Sequence, residues 1–278
     1  MRSRRISFSP NLKKHCNDHR NDKTRLTEII SDYTNDLQDF ANSFRNLIKE
    51  ITTKPEYAYP FLYLEFGSQI YPLVVRLYMQ NKLDKLLPIL EKTELRVYNF
   101  NTSDPVADIY HLSSLVTAND YNVDTINEHL NKYIINKFMS DSALNLLLSE
   151  SCYNNSGVKY LLLKYNNNLE GVQTLTREAY KDLEVEHIFS QNPNFVISAH
   201  GFRDNEHYES TKHKLGNLTL FEEDNSNDTP FNKSDKYMTS NVFMTQTLGS
   251  EIKKKGSFTI DDINNRIGEI TDFCLTNL

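Results

Sequence analysis

The sequence predicts an α+β fold that is predominantly α-helical. Residues 1–175 carry apolar side chains at steps of three and four residues, which is the spacing of amphipathic helices. Between Val185 and Tyr237 the pattern changes to two short β-prone runs followed by a helix. We therefore expect a helical domain at residues 1–175 and a second domain at residues 176–278, which combines these strands with a C-terminal helix.

The helical region is predicted to open with a long amphipathic helix that Pro55 and Pro60 end. A last helix is predicted to follow Thr259-x-x-Asp262, a variant of the capping box. The polar stretch Asn166–Glu170 is the predicted boundary between the domains. The apolar positions of the long helix are Leu26, Ile29, Ile30, Tyr33, Leu37, Phe40, Phe44, Leu47, Ile48 and Ile51. Shorter helices are predicted to begin near Ser68, Leu83, Asp104, Asp124, Asp141 and Lys159.

The first β-prone run holds an acid and an imidazole side by side. Leu183, Val185 and Phe189 alternate with polar residues, the period of a half-buried strand. Adjacent strand residues point to opposite faces. Glu186 and His187 can therefore serve one site only near the end of the strand, where the chain bends.

The second β-prone run, residues 215–221, reads LGNLTLF. Its Gly216 allows a close approach by a neighbouring backbone. After a charged turn come Asn225 and Asn227, and Ser234 is predicted to cap a helix that continues through Phe243. Strand, loop, strand and helix together outline a ββα unit.

These residue types suit metal-assisted hydrolysis of a phosphodiester. His187 is the natural general base, because imidazole titrates near neutral pH. Glu186 and one of the two amides, Asn225 or Asn227, offer hard oxygen ligands to Mg²⁺ or Mn²⁺. Asn217 is a candidate to orient His187 or to brace the loop, with simple turn chemistry as the alternative.

Three basic residues complete the candidate site. Lys233 is assigned to the catalytic set as a point charge on a phosphate, and a solvated side chain is the alternative. His213 and Lys214 lie beside the second run and are candidate contacts to nucleic acid. A plain surface position is the alternative for His213.

The motifs resemble those of the HNH, or ββα-metal, nuclease superfamily, and within it the C-terminal domain of GmrSD-type restriction proteins. The resemblance covers about the last hundred residues, and the preceding helices also look like the region before the nuclease domain. Two features depart from the family pattern: the span between Asn225 and Phe231 is short, so the ligand Asn stays open, and Ser190-Gln191 stands where many relatives place a proline. The steps that carry the resemblance are Glu186-His187-Ile188, Gly216-Asn217-Leu218-Thr219-Leu220, Asn225 or Asn227, Phe231, Lys233, Tyr237 and Ser240.

The resemblance implies a metal-dependent DNA endonuclease of a phage-defence, type IV-like restriction system, with His187 as the base and modified DNA as the usual target. Proteins of this type also carry a ParB-like NTP-binding domain. The sequence contains no such domain and no phosphate-cradling Gly-rich loop. We therefore expect a fragment of a larger protein or one subunit of a split system.

Several other classes are excluded or disfavoured. Cys16, Cys152 and Cys274 are scattered without a CxxC pair, so no structural zinc is expected, and the His15-Cys16-x-x-His19 spacing is assigned to a polar surface. The absence of a disulfide pattern suits a reducing cytoplasm. No run of 18 apolar residues predicts a membrane span, and the basic N-terminus lacks an apolar signal core.

The net charge of −6 is unusual for a DNA-binding enzyme, because Lys and Arg supply most affinity for phosphates. A partner subunit, basic clusters gathered on one face, and weak binding by the chain alone each explain it. Two other functions stay open: a non-catalytic DNA- or partner-binding module with a decayed nuclease fold, and an RNase or toxin nuclease that uses the same site.

Overall fold

A computed structural model of the chain describes residues 11–101, 105–117, 121–172, 175–223 and 227–278. The predicted fold class is confirmed: helices dominate, and the strands in these ranges form one two-stranded sheet. The chain divides into two compact units, Met1–Phe138 and Met139–Leu278. The domain boundary after residue 175 stays a prediction. In the described ranges, every helix is too short or too polar to cross a bilayer.

The first unit contains the long helix that the apolar residues at steps of three and four predict. Asp22 caps that helix, because its carboxylate accepts a hydrogen bond from the Arg25 amide at 3.0 Å. Three of the described helical segments of the first unit are π-helical, a conformation without a sequence signature of its own. Its α-helices are α1 (Asn11–Asp18), α2 (Lys23–Thr53), α3 (Pro55–Ala58), α4 (Tyr71–Met79), α5 (Leu83–Thr93), α6 (Val106–Thr117), α7 (Val123–His129) and α8 (Asn136–Phe138), and its π-helical segments are Tyr59–Tyr63, Glu94–Phe100 and Leu130–Ile135.

Two predicted helix limits in the first unit are wrong, and one cannot be compared. Pro60 does not end a helix but lies within a π-helical turn, whereas the long helix ends at Thr53, before Pro55. Ser68 does not cap a helix: a turn closed by the Ile70 amide and the Gly67 carbonyl, 3.2 Å apart, delays the start of α4 to Tyr71. Asp104 lies outside the described residues.

The second unit surrounds a β-hairpin with helices. Its core holds aromatic side chains from the hairpin and its connection, including Phe189, Phe202, Tyr208 and Phe221, all nearly inaccessible to solvent. The elements are α9 (Asp141–Ser149), α10 (Gly157–Glu170), α11 (Arg177–Asp182), β1 (Glu184–His187), α12 (Asn205–Thr211), β2 (Leu218–Phe221), α13 (Pro230–Tyr237), α14 (Phe243–Lys255) and α15 (Ile260–Asn277), with 3₁₀ turns at Ile197–His200 and Leu215–Asn217.

The structure corrects two boundaries in this unit and confirms one. Thr229, not Ser234, caps α13, because its hydroxyl accepts a hydrogen bond from the Asn232 main-chain amide. Pro230 then suits the first helical turn. The predicted continuation through Phe243 is wrong, since a separate helix begins there. The stretch Asn166–Glu170 is not a turn: it is the end of α10, and the turn comes at Gly171, which takes a left-handed φ of 75°. The capping box at the start of α15 is confirmed.

Candidate active site

The two motif-bearing runs pair as antiparallel strands. Glu186 lies opposite Thr219 and His187 opposite Leu218, and the Ile188 amide donates to the Asn217 carbonyl at 2.8 Å. Strand β1 ends at His187, so the predicted bend does follow the Glu-His pair. Helix α13 comes next after β2, which gives the ββα order that the motifs predicted.

Glu186 faces α13 and forms a buried ion pair there. The Nζ atom of Lys233 lies 2.7 Å from Oε1 of Glu186 and 2.9 Å from the main-chain oxygen of His187. The Tyr237 hydroxyl donates to the same Oε1 at 3.3 Å. Only 2% of the Lys233 side chain and 11% of the Glu186 side chain are exposed. Lys233 is therefore not solvated, and it clamps the acid to the end of β1.

His187 faces the other side of β1, toward a cluster of rings. Its Nε2 atom lies 2.9 Å from Nδ1 of His213, and its Nδ1 atom lies 3.3 Å from the side-chain nitrogen, Nε2, of Gln191. The ring of Tyr153 packs against it with 4.2 Å between centroids. Glu186 and His187 thus have separate side-chain partners, as strand alternation requires. Lys233 contacts both residues, since it binds the Glu186 carboxylate and the main-chain oxygen of His187.

His187 is uncharged at neutral pH. Burial lowers its pKa from about 6.5 to about 3, and the nearby His213, Lys233 and Lys212 act in the same direction. Burial and Lys212 also lower the pKa of His213. The ring of His187 therefore keeps a lone pair on one nitrogen, which is the form that a general base requires.

Asn217 holds the loop that follows β1. Its Oδ1 accepts from the Phe189 amide at 2.8 Å, and its Nδ2 donates to the carbonyls of Phe189 at 3.0 Å and Lys212 at 2.7 Å. The residue is fully buried. Asn217 therefore fixes the main chain on both sides of the candidate site, by bracing the segments that carry His187 and His213.

Gly216 and Arg266 attach the second strand to α15. A Cβ atom on Gly216 would lie 2.0 Å from the main-chain oxygen of Ile263, so a side chain cannot be accommodated without moving the helix. The guanidinium of Arg266 donates to the carbonyls of Gly216 at 3.0 Å and Leu218 at 2.9 Å. This packing explains why the sequence has glycine beside Asn217.

The remaining predicted residues are less tightly placed. Asn227 is exposed, and Asn225 lies outside the described residues. Lys214 is half-buried, and its main chain pairs with Ser151 in an isolated bridge. His213 is half-buried and contacts His187, so it is part of the site and not a plain surface residue.

Two residues at the site were missed by the sequence analysis: Tyr153 and Gln191. Gln191 lies four residues after His187, at a position that the sequence analysis noted only as a departure from the family pattern. Tyr153 is 34 positions before His187 in the sequence. It is held beside the site because the main-chain amides of Cys152 and Tyr153 donate to the His213 carbonyl at 3.1 and 3.3 Å. The one available signal was an aromatic residue in the polar stretch before α10.

The donors at Glu186 fit a sparsely ligated hard cation. Oε1 is occupied by Lys233 and Tyr237, whereas Oε2 accepts no hydrogen bond from any described residue. Mg²⁺ commonly binds through one or two carboxylates and retains several waters, so Oε2 suits it as a single protein ligand. Among the described residues, no group of three or more His, Cys, Asp or Glu side chains could hold an ion.

Comparison with known families matches residues 138–273 to the C-terminal domain of GmrSD restriction endonucleases. The second unit is therefore similar to this domain over nearly its whole length. The match spans the hairpin, the ring cluster and the Glu186–Lys233 pair, and it supports a nuclease of the restriction endonuclease type with DNA as its substrate. No curated protein and no solved structure matches the chain significantly.

Proposed function

We propose that this GmrSD-type domain is a metal-dependent DNA endonuclease of the HNH type, acting in a type IV-like restriction system against phage DNA. The observation that carries the proposal is the position of the His187 imidazole at the end of β1, next to the buried Glu186–Lys233 pair. A neutral histidine beside an acid that can take a cation supplies the two functions that phosphodiester hydrolysis needs. Modified DNA is the proposed target class, on the family resemblance.

The proposed base atom is Nδ1 of His187. Its contact with the Gln191 amide, at 3.3 Å, is longer than an ordinary hydrogen bond, whereas the Nε2 contact with His213, at 2.9 Å, is of ordinary length. A water can therefore replace Gln191 at Nδ1 at little cost. That water attacks phosphorus as its proton passes to Nδ1, the bond from phosphorus to the leaving oxygen breaks, and the leaving oxygen takes a proton from solvent.

Glu186 is the proposed protein ligand of Mg²⁺ or Mn²⁺, through Oε2, together with Asn225 or Asn227. A bound ion of this kind would stabilise charge on the phosphate and on the leaving oxygen. Lys233 neutralises Oε1 and keeps the carboxylate in place, and its burial favours this role over the predicted contact with a phosphate. Asn217 keeps the loop geometry fixed during the reaction.

One cleavage assay tests the proposal. Supercoiled DNA and single-stranded RNA are incubated with parent protein, His187→Ala and the exposed control His111→Ala, in Mg²⁺, Mn²⁺ or EDTA. We expect metal-dependent nicking of DNA that falls by about 10²–10⁴ in His187→Ala and is unchanged in the control. DNA binding without nicking by the parent would instead support the non-catalytic module, and cleavage of RNA alone would support the RNase.

The metal assignment has its own test. Glu186→Gln keeps an acceptor for Lys233 but removes the charge that attracts a cation. We expect the Mg²⁺ concentration for half-maximal nicking to rise at least about tenfold, in line with the usual loss when a metal site is perturbed. A Mg²⁺ titration identical to that of the parent would remove Glu186 from the metal site.

A further inference from the structure

His187 and His213 are joined by a direct contact between ring nitrogen atoms. The two rings are nearly perpendicular, at 74°, and Nε2 of one faces Nδ1 of the other at 2.9 Å. Such a distance is that of a full hydrogen bond between nitrogen atoms. One ring must donate and the other accept, so each ring restricts the tautomer of its neighbour.

His213 is held in this orientation by groups on both of its sides. Its carbonyl accepts from the amides of Cys152 and Tyr153, and its ring lies nearly parallel to that of Tyr153, at 17° and 5.4 Å between centroids. On the other side, Asn217 binds the carbonyl of Lys212, the residue before His213. The imidazole of His213 is thus a fixed partner and not a mobile surface group.

The donors around His187 indicate which nitrogen carries its proton. The side-chain nitrogen of Gln191 lies 3.3 Å from Nδ1 and carries only donors, so a proton on Nδ1 would face another N–H group and is disfavoured. The proton of the neutral ring is then on Nε2, from where it is donated to Nδ1 of His213. In this arrangement the lone pair of His187 is on the nitrogen that faces the weakly held Gln191.

We propose that His213 is the positioning residue of His187: its Nδ1 atom accepts the Nε2 proton of His187 and thereby keeps the lone pair on Nδ1, where a water can be deprotonated. The inference rests on the proposed function, because it assigns His187 as the base. It replaces the sequence-based expectation that His213 contacts the phosphates of the substrate. A positioning role requires the Nδ1 atom of His213, whereas a phosphate contact requires its other nitrogen, Nε2, because Nδ1 faces His187.

Three substitutions separate these roles. His213→Asn places an amide near the position of Nδ1, His213→Gln places one near the position of Nε2, and His213→Phe keeps a ring against Tyr153 without any hydrogen bond. We expect the Phe and Gln variants to lose about tenfold to a hundredfold in kcat with little change in KM, the usual cost of removing an outer-shell partner. The Asn variant should retain kcat within about threefold of the parent, because the acceptor is kept.

A spectroscopic measurement tests the same claim independently of cleavage. The ¹⁵N chemical shifts of the His187 ring distinguish a protonated Nε2 from a protonated Nδ1. We expect Nε2–H in the parent and in His213→Asn, and a mixture of tautomers in His213→Phe. Folding of each variant is checked by far-UV circular dichroism.

The outcomes separate the two hypotheses. A proton on Nδ1 of His187 in the parent overturns the inference whether or not the protein cuts DNA. A Gln variant that retains activity while the Asn variant loses it, or losses confined to KM, would overturn it in favour of a phosphate contact. If the parent cuts neither DNA nor RNA, the proposed function fails, while the ¹⁵N shifts still decide the positioning of the ring.

Discussion

Removing the ammonium of Lys233 should destabilise the second unit strongly. Lys233→Met keeps most of the length of the side chain but leaves Glu186, whose side chain is 11% exposed, with the Tyr237 hydroxyl as its one remaining side-chain partner among the described residues. It also removes the donor from the main-chain oxygen of His187. Breaking a buried pair by deleting one partner typically costs about 3–5 kcal/mol. We expect about 3 kcal/mol, since Glu186 keeps limited access to water.

The neighbouring Lys236 supplies a matched control on the same helix. It pairs with Glu223 at 3.4 Å, and the two side chains are 57% and 62% exposed. Exposed pairs contribute about 0–1 kcal/mol, so Lys236→Met should change the free energy of unfolding by less than about 1 kcal/mol. The comparison removes effects of helix propensity and of the methionine itself.

The assay is urea denaturation followed by far-UV circular dichroism, because the chain has no tryptophan. Native-state hydrogen exchange at β1 and α13 then shows whether the loss is local to the second unit. The double variant Glu186→Gln with Lys233→Met should recover part of the lost stability, since no charge remains buried. Equal losses for Lys233→Met and Lys236→Met, or a loss below about 1 kcal/mol for both, would refute the assignment of Lys233 to a buried ion pair.

Two further perturbations follow from the same unit. Gly216→Ala should lower Tm sharply, because its Cβ would lie 2.0 Å from the Ile263 oxygen. The control Gly268→Ala in α15 has open space at its Cβ and should raise the free energy of unfolding by about 0.5–1 kcal/mol. Equal Tm values for the two variants by circular dichroism would contradict the packing. Acid should also destabilise the fold through His187: its folded pKa of about 3 is below the unfolded value, so the stability is fully present above about pH 6.5 and is lost as the pH falls toward 3. The loss is about 1.4 kcal/mol per pH unit and at most about 5 kcal/mol, and a His187→Gln variant with the same pH slope in urea titrations would contradict it.

The elements that the sequence predicted well are those determined by local pattern. Alternation of apolar residues marked β1, the compact run 215–221 marked β2, and Thr259 with Asp262 marked the start of α15. In each case the residues that decide the structure lie within a few positions of one another. The capping box is an example, since the Thr259 amide and the Asp262 carboxylate are three residues apart and 2.8 Å distant.

The contacts that the sequence did not predict join residues that are far apart along the chain. Lys233 in a polar helix is more often solvated than buried, and its burial is decided by an acid 47 residues away. The ring cluster depends likewise on Tyr153, which the folded chain brings to His187 through the main chain of His213. The site residues were therefore predictable as chemical types, but their partners and their burial were not.

The acidic balance of the chain can be examined at the surface of the second unit. Four lysines of the second unit are paired with acids, and counterion release scales with the number of phosphates that free cations neutralise. These pairs weaken the explanation that basic clusters form one DNA-binding face, and they favour weak intrinsic binding or a grip supplied by a partner. The pairs are Lys212 with Glu209 at 2.7 Å, Lys236 with Glu223 at 3.4 Å, Lys253 with Asp235 at 2.8 Å and Lys255 with Asp262 at 2.7 Å.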